Sequence, residues 1–386
     1  MSNTAEVIII GGGVHGASLA FQLALRGVKA LVLEKHFVGA GATGRSSGLV
    51  RMHYDTEIDS RLAWESFTYF RNWKELVGGD CGFTRTGFIQ IADAAHLNAL
   101  KANVVMHQRI GIPSLLITAA DVQRLAPAFV TDDFALAAYE PESGYALPSD
   151  TTNALMQAAR ERGARLVQNC TVTGISVVGD KVAGVETTQG AYSAPIVVNA
   201  AGAWAKPINA MVGLAIPYDT WRHDTLYVTR PATMRLAHPT VIDFVHELYF
   251  RPEGPLTLVG LEDANPLGES PDTNTDQAAP GFVARASDRI CRRIPALENG
   301  GLHSAHGGYD GITPDQHALL GAAGPEGFYL DCGHSGTGFK IAPAVGRCMA
   351  ELILDGVTTT VDISPLAPSR FAEGRLLTGN YVALWR

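Results

Sequence analysis

One stretch near the start of this 386-residue chain constrains its fold more than any other. Val7 to Ile10 is a short, β-branched apolar run, too short for a helix, and Gly11-Gly12-Gly13-Val14-His15-Gly16 follows at once. Ser18 to Leu25 then carries apolar residues at helical spacing, Gly27 ends the helix, and Ala30 to Leu33 forms a second strand closed by Glu34. The unit has the expected βαβ size of about 30 residues. Gly11 permits the tight turn from strand to helix, Gly13 lets a pyrophosphate approach the backbone, and Gly16 lets the helix pack on the sheet. The first helical turn, with Val14 and His15, offers free N–H groups and the positive end of the helix dipole. Glu34, 23 residues beyond Gly11 and followed by Lys35, is placed to hold ribose hydroxyls. An acid there disfavours a 2′-phosphate and so NADP. The pattern predicts a Rossmann-type dinucleotide site but does not separate NAD from FAD.

Composition limits the remaining choices. A hydrophobic fraction of 46% against 18% charged residues supports a large core and excludes a disordered chain. A net charge of −8 repels phosphate backbones, so no nucleic-acid partner is expected. Cys81, Cys170, Cys291, Cys332 and Cys348 are odd in number and widely spaced, which suits free thiols in a reducing compartment. No metal-ligand spacing is present. The first residues lack a leader's basic and apolar regions, and no 18-residue apolar run occurs, so no membrane association and a cytoplasmic location are expected.

Along the chain, the pattern predicts helices over Ile58 to Leu76, Ala94 to Ile110, Ala119 to Leu125, Thr151 to Arg162, Ala279 to Arg293 and Ala342 to Leu354. Strands are expected at Phe88 to Ala92, over Arg165 to Val198, and in a second sheet from Tyr218 to Leu261; Phe328 to Asp331 reads as a buried strand. Phe37 to Tyr54 reads as loop with a short helix, Pro141 to Pro148 as a turn-rich connector, and Asp263 to Pro280 as the one flexible loop. With no clean linker, two interleaved domains are expected. The fold class is α/β (α+β): a discontinuous dinucleotide-binding domain over 1–85, 145–215 and 310–365, and a substrate domain over 86–144 and 216–309 built on a mainly antiparallel sheet. Residues 366–386 are expected as a C-terminal tail.

Several segments together carry a family likeness. Gly39 to Gly48, with Gly41, Thr43, Arg45, Ser46, Ser47 and Gly48, resembles the second flavin-binding loop of the amine and amino-acid oxidoreductases, the group of D-amino-acid, glycine and sarcosine oxidases. Cys170 to Gly184, with Val172, resembles the strand pair that covers the adenine. Val197 to Trp204, with Ala200 and Gly202, resembles the strand and turn beside the pyrophosphate. Tyr329 to Leu354, with Gly333-His334-Ser335-Gly336-Thr337-Gly338-Phe339-Lys340, resembles the C-terminal flavin clamp. Arg45 to Arg51 and Gly307 to Asp315 are most similar to sarcosine oxidases and to the β subunits of heteromeric sarcosine oxidases and proline dehydrogenases.

The likeness implies FAD and hydride transfer from the carbon beside an amine nitrogen, with the imine then hydrolysed. It implies that Arg51 and Lys340 bind the substrate carboxylate, that Tyr249 lines the pocket, and that His53 and His334 lie near the flavin. Glycine oxidases carry an Arg near the turn after Gly308; Tyr309 and Asp310 stand here, which favours the sarcosine-type clamp. Monomeric sarcosine oxidases attach FAD to a Cys where this chain has Gly308, so noncovalent FAD is expected. They also carry a Lys on the strand matching Pro255 to Gly260, and its absence here points towards a dehydrogenase or an electron-passing subunit. The expected substrate is a small amino acid, either a sarcosine-like N-methyl compound or a cyclic one such as proline. Oxidation of D-amino acids, glycine or a 2-hydroxy acid, and a β subunit inactive alone, remain as alternatives. The electron acceptor is O2 or another acceptor, and homo- or hetero-oligomers are both compatible with the sequence.

Overall fold

The computed structural model describes residues 3–234, 237–263, 265–273 and 275–381. Its first layer is a six-stranded sheet in the order Leu319–Ala322, Phe328–Cys332, Val197–Asn199, Ile8–Ile10, Leu31–Leu33, Arg165–Val167. All neighbours are parallel except the edge strand Leu319–Ala322. These strands are short unbroken apolar runs because both faces of the sheet are covered. On one face the helix Val14–Leu25 lies between Pro148–Glu161 and Ala342–Asp355. Eleven of its twelve residues are buried, which explains why it is apolar all round. It meets the last helix closely: the Ser18 hydroxyl donates to Ala342 O at 2.8 Å, and a Cβ on Gly346 would lie 2.3 Å from Ser18 Oγ. The opposite face packs against the three-stranded sheet Val172–Val178, Lys181–Thr187, Gly190–Ser193.

The second layer is an eight-stranded sheet. Its order is Gly301–Ile312, Asp219–Thr229, Leu256–Leu261, Leu248–Glu253, Thr240–Asp243, Phe88–Ile91, Leu136–Glu140, Leu115–Thr118. It is antiparallel except where Thr240–Asp243 runs parallel to Phe88–Ile91. The amphipathic helix Phe282–Arg293 covers one face through Phe282, Ala286 and Ile290. Its last residue, Arg293, is fully buried and donates to Asp243 at 2.7 Å and Asp133 at 2.8 Å.

Three sequence expectations change here, and the C-terminal tail gains an anchor. The helix expected over Ile58 to Leu76 breaks at Asn72 into Glu57–Arg71 and Trp73–Leu76. The connector Pro141 to Pro148 holds a short strand, Gly144–Tyr145, paired with both Leu49–Val50 and Thr84–Arg85. Within the tail, described as far as Tyr381, Arg370 is buried and forks onto Asp315 at 2.8 and 2.9 Å. The loop Asp263 to Pro280, leaving aside Ala264 and Asn274, which lie outside the described residues, is a strap bonded to distant parts of the chain. Asp272 accepts from Lys35 at 2.7 Å and from the Trp204 indole at 2.9 Å, Asp276 from Arg45 at 3.1 Å, and Glu269 from the Tyr309 hydroxyl at 2.6 Å. Among the described residues no helix is long and apolar enough to cross a membrane.

Candidate active site

Four strands of the parallel sheet end at one crevice. Gly11, Glu34, Ala200 and Gly333 directly follow Ile10, Leu33, Asn199 and Cys332, and all four line it. Open α/β sheets bind ligands in this position, outside the carboxyl ends of their strands. The crevice is long. One end is lined by Glu34, Lys35, Cys170 and Val172; the other, against the second sheet, by Arg51, Tyr249, His223, Gly308, His334 and Lys340.

The first glycine turn is held on all sides. Gly11 has a φ of +111°, and a Cβ there would lie 2.5 Å from Ala200 O. A Cβ on Gly16 would lie 2.0 Å from Gly11 O, so the turn and the helix meet backbone to backbone. Gly13 caps the helix with no side-chain acceptor, which leaves the first-turn amides to the cavity, apart from Val14 N–H, which donates to Thr43 Oγ1 at 3.1 Å. Glu34 accepts from the backbone amides of Gly12 at 2.6 Å and His36 at 2.7 Å, so its carboxylate also fixes the loop it faces.

At the far end the charges are unusual. Arg51 and Lys340 both line the cavity, and neither has an ion-pair or hydrogen-bond partner among the described residues. The Arg51 guanidinium lies 4.4 Å from the Tyr54 ring centre and the Lys340 ammonium 5.7 Å from it, so two cations flank one aromatic ring. Burial, and then the neighbouring Arg51, hold the Lys340 amine well below its ordinary value. A pair of desolvated cations with no carboxylate in direct contact among the described residues, Glu262 and Asp310 acting on Lys340 without bonding it, is an arrangement that calls for an anionic ligand.

Tyr249 stands on the wall opposite, its hydroxyl 2.7 Å from His223 Nε2. It can lie flat over the neighbouring strand because its register partner is Gly260, where a Cβ would come within 2.1 Å of the phenol. Burial, then the charge of Glu262, push this phenol well above its ordinary value. His334 stacks on His15 with ring centres 3.4 Å apart, and Asp331 Oδ1 lies 3.0 Å from His334 Nε2 and 3.2 Å from His15 Nδ1. Burial first and His15 second lower the His334 imidazole to about 4. Burial alone would raise the Asp331 carboxyl, but His15 and then His334 reverse this and hold it well below the carboxylate range.

Most of the residues expected from sequence line this one cavity: Gly11, Gly13, Val14, His15, Glu34, Lys35, Gly41, Thr43, Arg45, Ser46, Ser47, Arg51, Val172, Ala200, Gly202, Trp204, Tyr249, Gly308, Gly333, His334, Gly336, Thr337, Gly338, Phe339 and Lys340. Three do not. Gly16 is buried under the turn as a packing glycine. Gly48 has a φ of +68° and lets the loop pass Ala146, where a Cβ would lie 2.2 Å from the carbonyl oxygen. His53 is 1% exposed and off the cavity wall; its ring is packed by His107, Phe88 and Tyr381, and its Nε2 is 2.7 Å from the Tyr381 hydroxyl. Sequence reasoning missed His223, Trp221 and the strap residue Asp272, which belong to no local motif; Asp310 and Asp331 lie within Gly307 to Asp315 and Tyr329 to Leu354 but were not singled out as site residues.

A family model described as DAO, FAD dependent oxidoreductase, matches residues 6–352. The chain belongs to this family. As an FAD-dependent oxidoreductase it is 31% identical over 373 residues to the mitochondrial sarcosine dehydrogenase of Mus musculus, an alignment covering 92% of this chain and 40% of that protein. L-proline dehydrogenase from P. horikoshii superposes with a TM-score of 0.90 at 29% identity, over 98% of this chain and 100% of that one. Glycine oxidase from Geobacillus kaustophilus gives 0.84 at 25% identity, over 96% and 99%. The FAD-dependent oxidoreductase described here spans 40% to 46% of the length of the sarcosine and dimethylglycine dehydrogenases it resembles.

Proposed function

We propose that this flavoprotein oxidises the C–N bond of a small amino acid that carries a free carboxylate beside a secondary amine. One observation carries the reading: Arg51 and Lys340, unpartnered among the described residues, converge around Tyr54 at the end of a dinucleotide-shaped crevice. The names of two relatives point the same way, since sarcosine and proline both place a carboxylate one carbon from a secondary amine.

The residues present fit FAD. Gly11 and Gly13 both line the crevice, Gly11 fitting under Ala200 O where no Cβ could, and the uncapped helix at Gly13 would present amides and a positive dipole to the pyrophosphate. Glu34 would hold ribose hydroxyls, with Cys170 and Val172 lining the adenine end of the crevice. Gly333 to Lys340 would hold the ring end, with the N-terminus of Ala342–Asp355 following directly. Bound FAD supplies the two-electron acceptor for the bond beside the amine nitrogen. Gly308 has no side chain to attach it, and Cys170, the only cysteine on the cavity wall, stands at the Glu34 end, which supports noncovalent binding. The five free cysteines support a reducing setting.

The chain's own groups bind and orient. Arg51 and Lys340 take the carboxylate by charge-assisted hydrogen bonds, which turns the amine-bearing carbon towards the ring end of the cofactor. The Tyr249–His223 pair closes the facing wall, and the depressed His334 stays neutral at pH 7, adding no cation to oppose a neutral amine. Hydride transfer from a neutral amine needs no strong base.

Anaerobic stopped-flow reduction tests this. N-methyl and cyclic amino acids are expected to bleach the flavin, while the matching amines without the carboxylate bleach it slowly or not at all. Equal rates with and without the carboxylate would contradict the reading.

A further inference from the structure

Behind Arg51 lies a buried group of polar side chains that the proposed chemistry does not use. His53, His107 and Glu140 are 1%, 0% and 0% exposed, and one nitrogen or oxygen from each lies within 4.8 Å of the others. Each residue is anchored on its outer side. Glu140 Oε2 accepts from the Met52 amide at 2.9 Å and the Ser143 hydroxyl at 2.7 Å. His107 Nε2 is 2.8 Å from Tyr54 O, and His53 Nε2 is 2.7 Å from the Tyr381 hydroxyl. The inner atoms, Glu140 Oε1, His53 Nδ1 and His107 Nδ1, have no hydrogen-bond partner among the described residues.

The contacts fix one tautomer. The closer neighbour of His107 Nε2 is the Tyr54 carbonyl oxygen at 2.8 Å, which can only accept, against 3.4 Å for the Tyr54 N–H, so His107 carries its proton on Nε2 and presents a lone pair at Nδ1. The Tyr381 hydroxyl can donate or accept, so His53 Nδ1 presents either a proton or a lone pair. An ionised Glu140 presents lone pairs as well. Acceptors facing each other in a dry interior are costly unless a proton lies between them. A divalent cation would also bridge them, but it would sit beside the unpaired Arg51 guanidinium and the buried Lys340, so a proton is the better-matched occupant.

The arrangement ties this proton to the cavity. Met52, whose amide Glu140 holds, is the next residue after Arg51, and the Arg51 charge acts on the carboxyl. Resting on the reading that Arg51 receives a substrate carboxylate, we propose that Glu140 is a positioning residue of that site, whose buried carboxyl takes up a proton when an anion arrives at Arg51. While the clamp is empty, an ionised Glu140 balances the guanidinium. Once a carboxylate does so, two anions share one cation and the buried one is the one that protonates.

The sign is fixed by linkage. Burial, opposed by the Met52 amide, the Ser143 hydroxyl and Arg51, puts the Glu140 carboxyl at about 7. An anion at Arg51 raises it further, so protons are taken up between the free and bound values. Affinity for a carboxylate therefore falls as pH rises above about 7, by at most about tenfold per pH unit. The other groups facing the cluster change little: His53 and His107 are held neutral, chiefly by burial, and Asn103 does not titrate. Lys340 is the competing source, because its amine is also depressed and an anion would raise it too.

The test uses FAD-loaded enzyme, acetate as the probe, and a pH indicator in weakly buffered solution. Acetate is expected to perturb the flavin absorbance with uptake approaching one proton at about pH 8 and little at about pH 6. Glu140→Gln should remove most of that uptake, and Lys340→Met, with acetate raised until its weakened site is saturated, should leave most of it in place. Acetate binding without uptake, uptake unchanged in Glu140→Gln, or uptake abolished in acetate-saturated Lys340→Met overturns the proposal while leaving the clamp intact. Should Glu140→Gln fail to fold, the Lys340→Met arm decides alone. Stoichiometric metal in the purified protein would also overturn it. Acetate binding that is indifferent to Arg51→Ala would remove the clamp, and this inference with it.

Discussion

Replacing Arg51 by Ala is expected to raise the KM for the amino-acid substrate about 10- to 150-fold, the loss of one or two hydrogen bonds to a charged group at about 1.5–3 kcal/mol. The turnover number should change much less, because the carboxylate is held alike before and during the reaction. Arg51→Lys should fall between, keeping the charge but losing the planar fork. A second effect separates this from general damage. Arg51 is, after burial, the main cause of the depressed Lys340 amine, so its removal lets that pKa rise. The alkaline limb of substrate binding should then move to higher pH in Arg51→Ala. Steady-state kinetics over a pH series reads both, and an unchanged KM would take Arg51 out of the site.

The other large effect belongs to the glycine turn. In Gly16→Ala the new methyl would lie 2.0 Å from Gly11 O and 3.3 Å from Ile9 Cγ2. The turn cannot retreat, because Gly11 itself is pressed against Ala200 O. The helix must move off the sheet, at a cost of about 1–3 kcal/mol or more. Its first-turn amides move with it, and these are the groups proposed to hold the pyrophosphate. The variant should purify with well under one FAD per chain and melt a few degrees lower, roughly 1–2 °C for each kcal/mol in a chain of this size. The absorbance ratio of flavin to protein and a thermal melt check this. Full flavin content with an unchanged melt would mean the close approach is unimportant.

What could be read in the sequence was what depends on local pattern. The strand, glycine turn, helix and acid from Val7 to Glu34 are contiguous, and so is the late run Gly333 to Lys340; each reports its geometry within about one βαβ unit. The twelve-residue strand Gly301–Ile312 was not legible. Its glycines at 307, 308 and 311 depress strand propensity, yet each stands where a distant side chain closes in: Asp224, Arg45 and Tyr218. The strap from Asp263 to Pro280 reads as flexible by composition, because the cations that hold it, Lys35 and Arg45, come from the other end of the chain. His53 shows the limit at a single position. It lies two residues from Arg51 in an extended segment, so proximity to the site was a fair expectation. The sequence did not reveal that His107, on the helix Leu97–Ile110, and Tyr381, near the C-terminus, would wall it off.

The central claim is that one crevice holds FAD along its length and a substrate carboxylate at its end. A crystal structure of the FAD-loaded chain with acetate bound measures this directly. The account predicts the adenosine end against Glu34, the ring end against Gly333 to Lys340, and the acetate oxygens within hydrogen-bond distance of Arg51 and Lys340. Acetate bound away from both cations, or a flavin ring lying outside that end of the crevice, would contradict it.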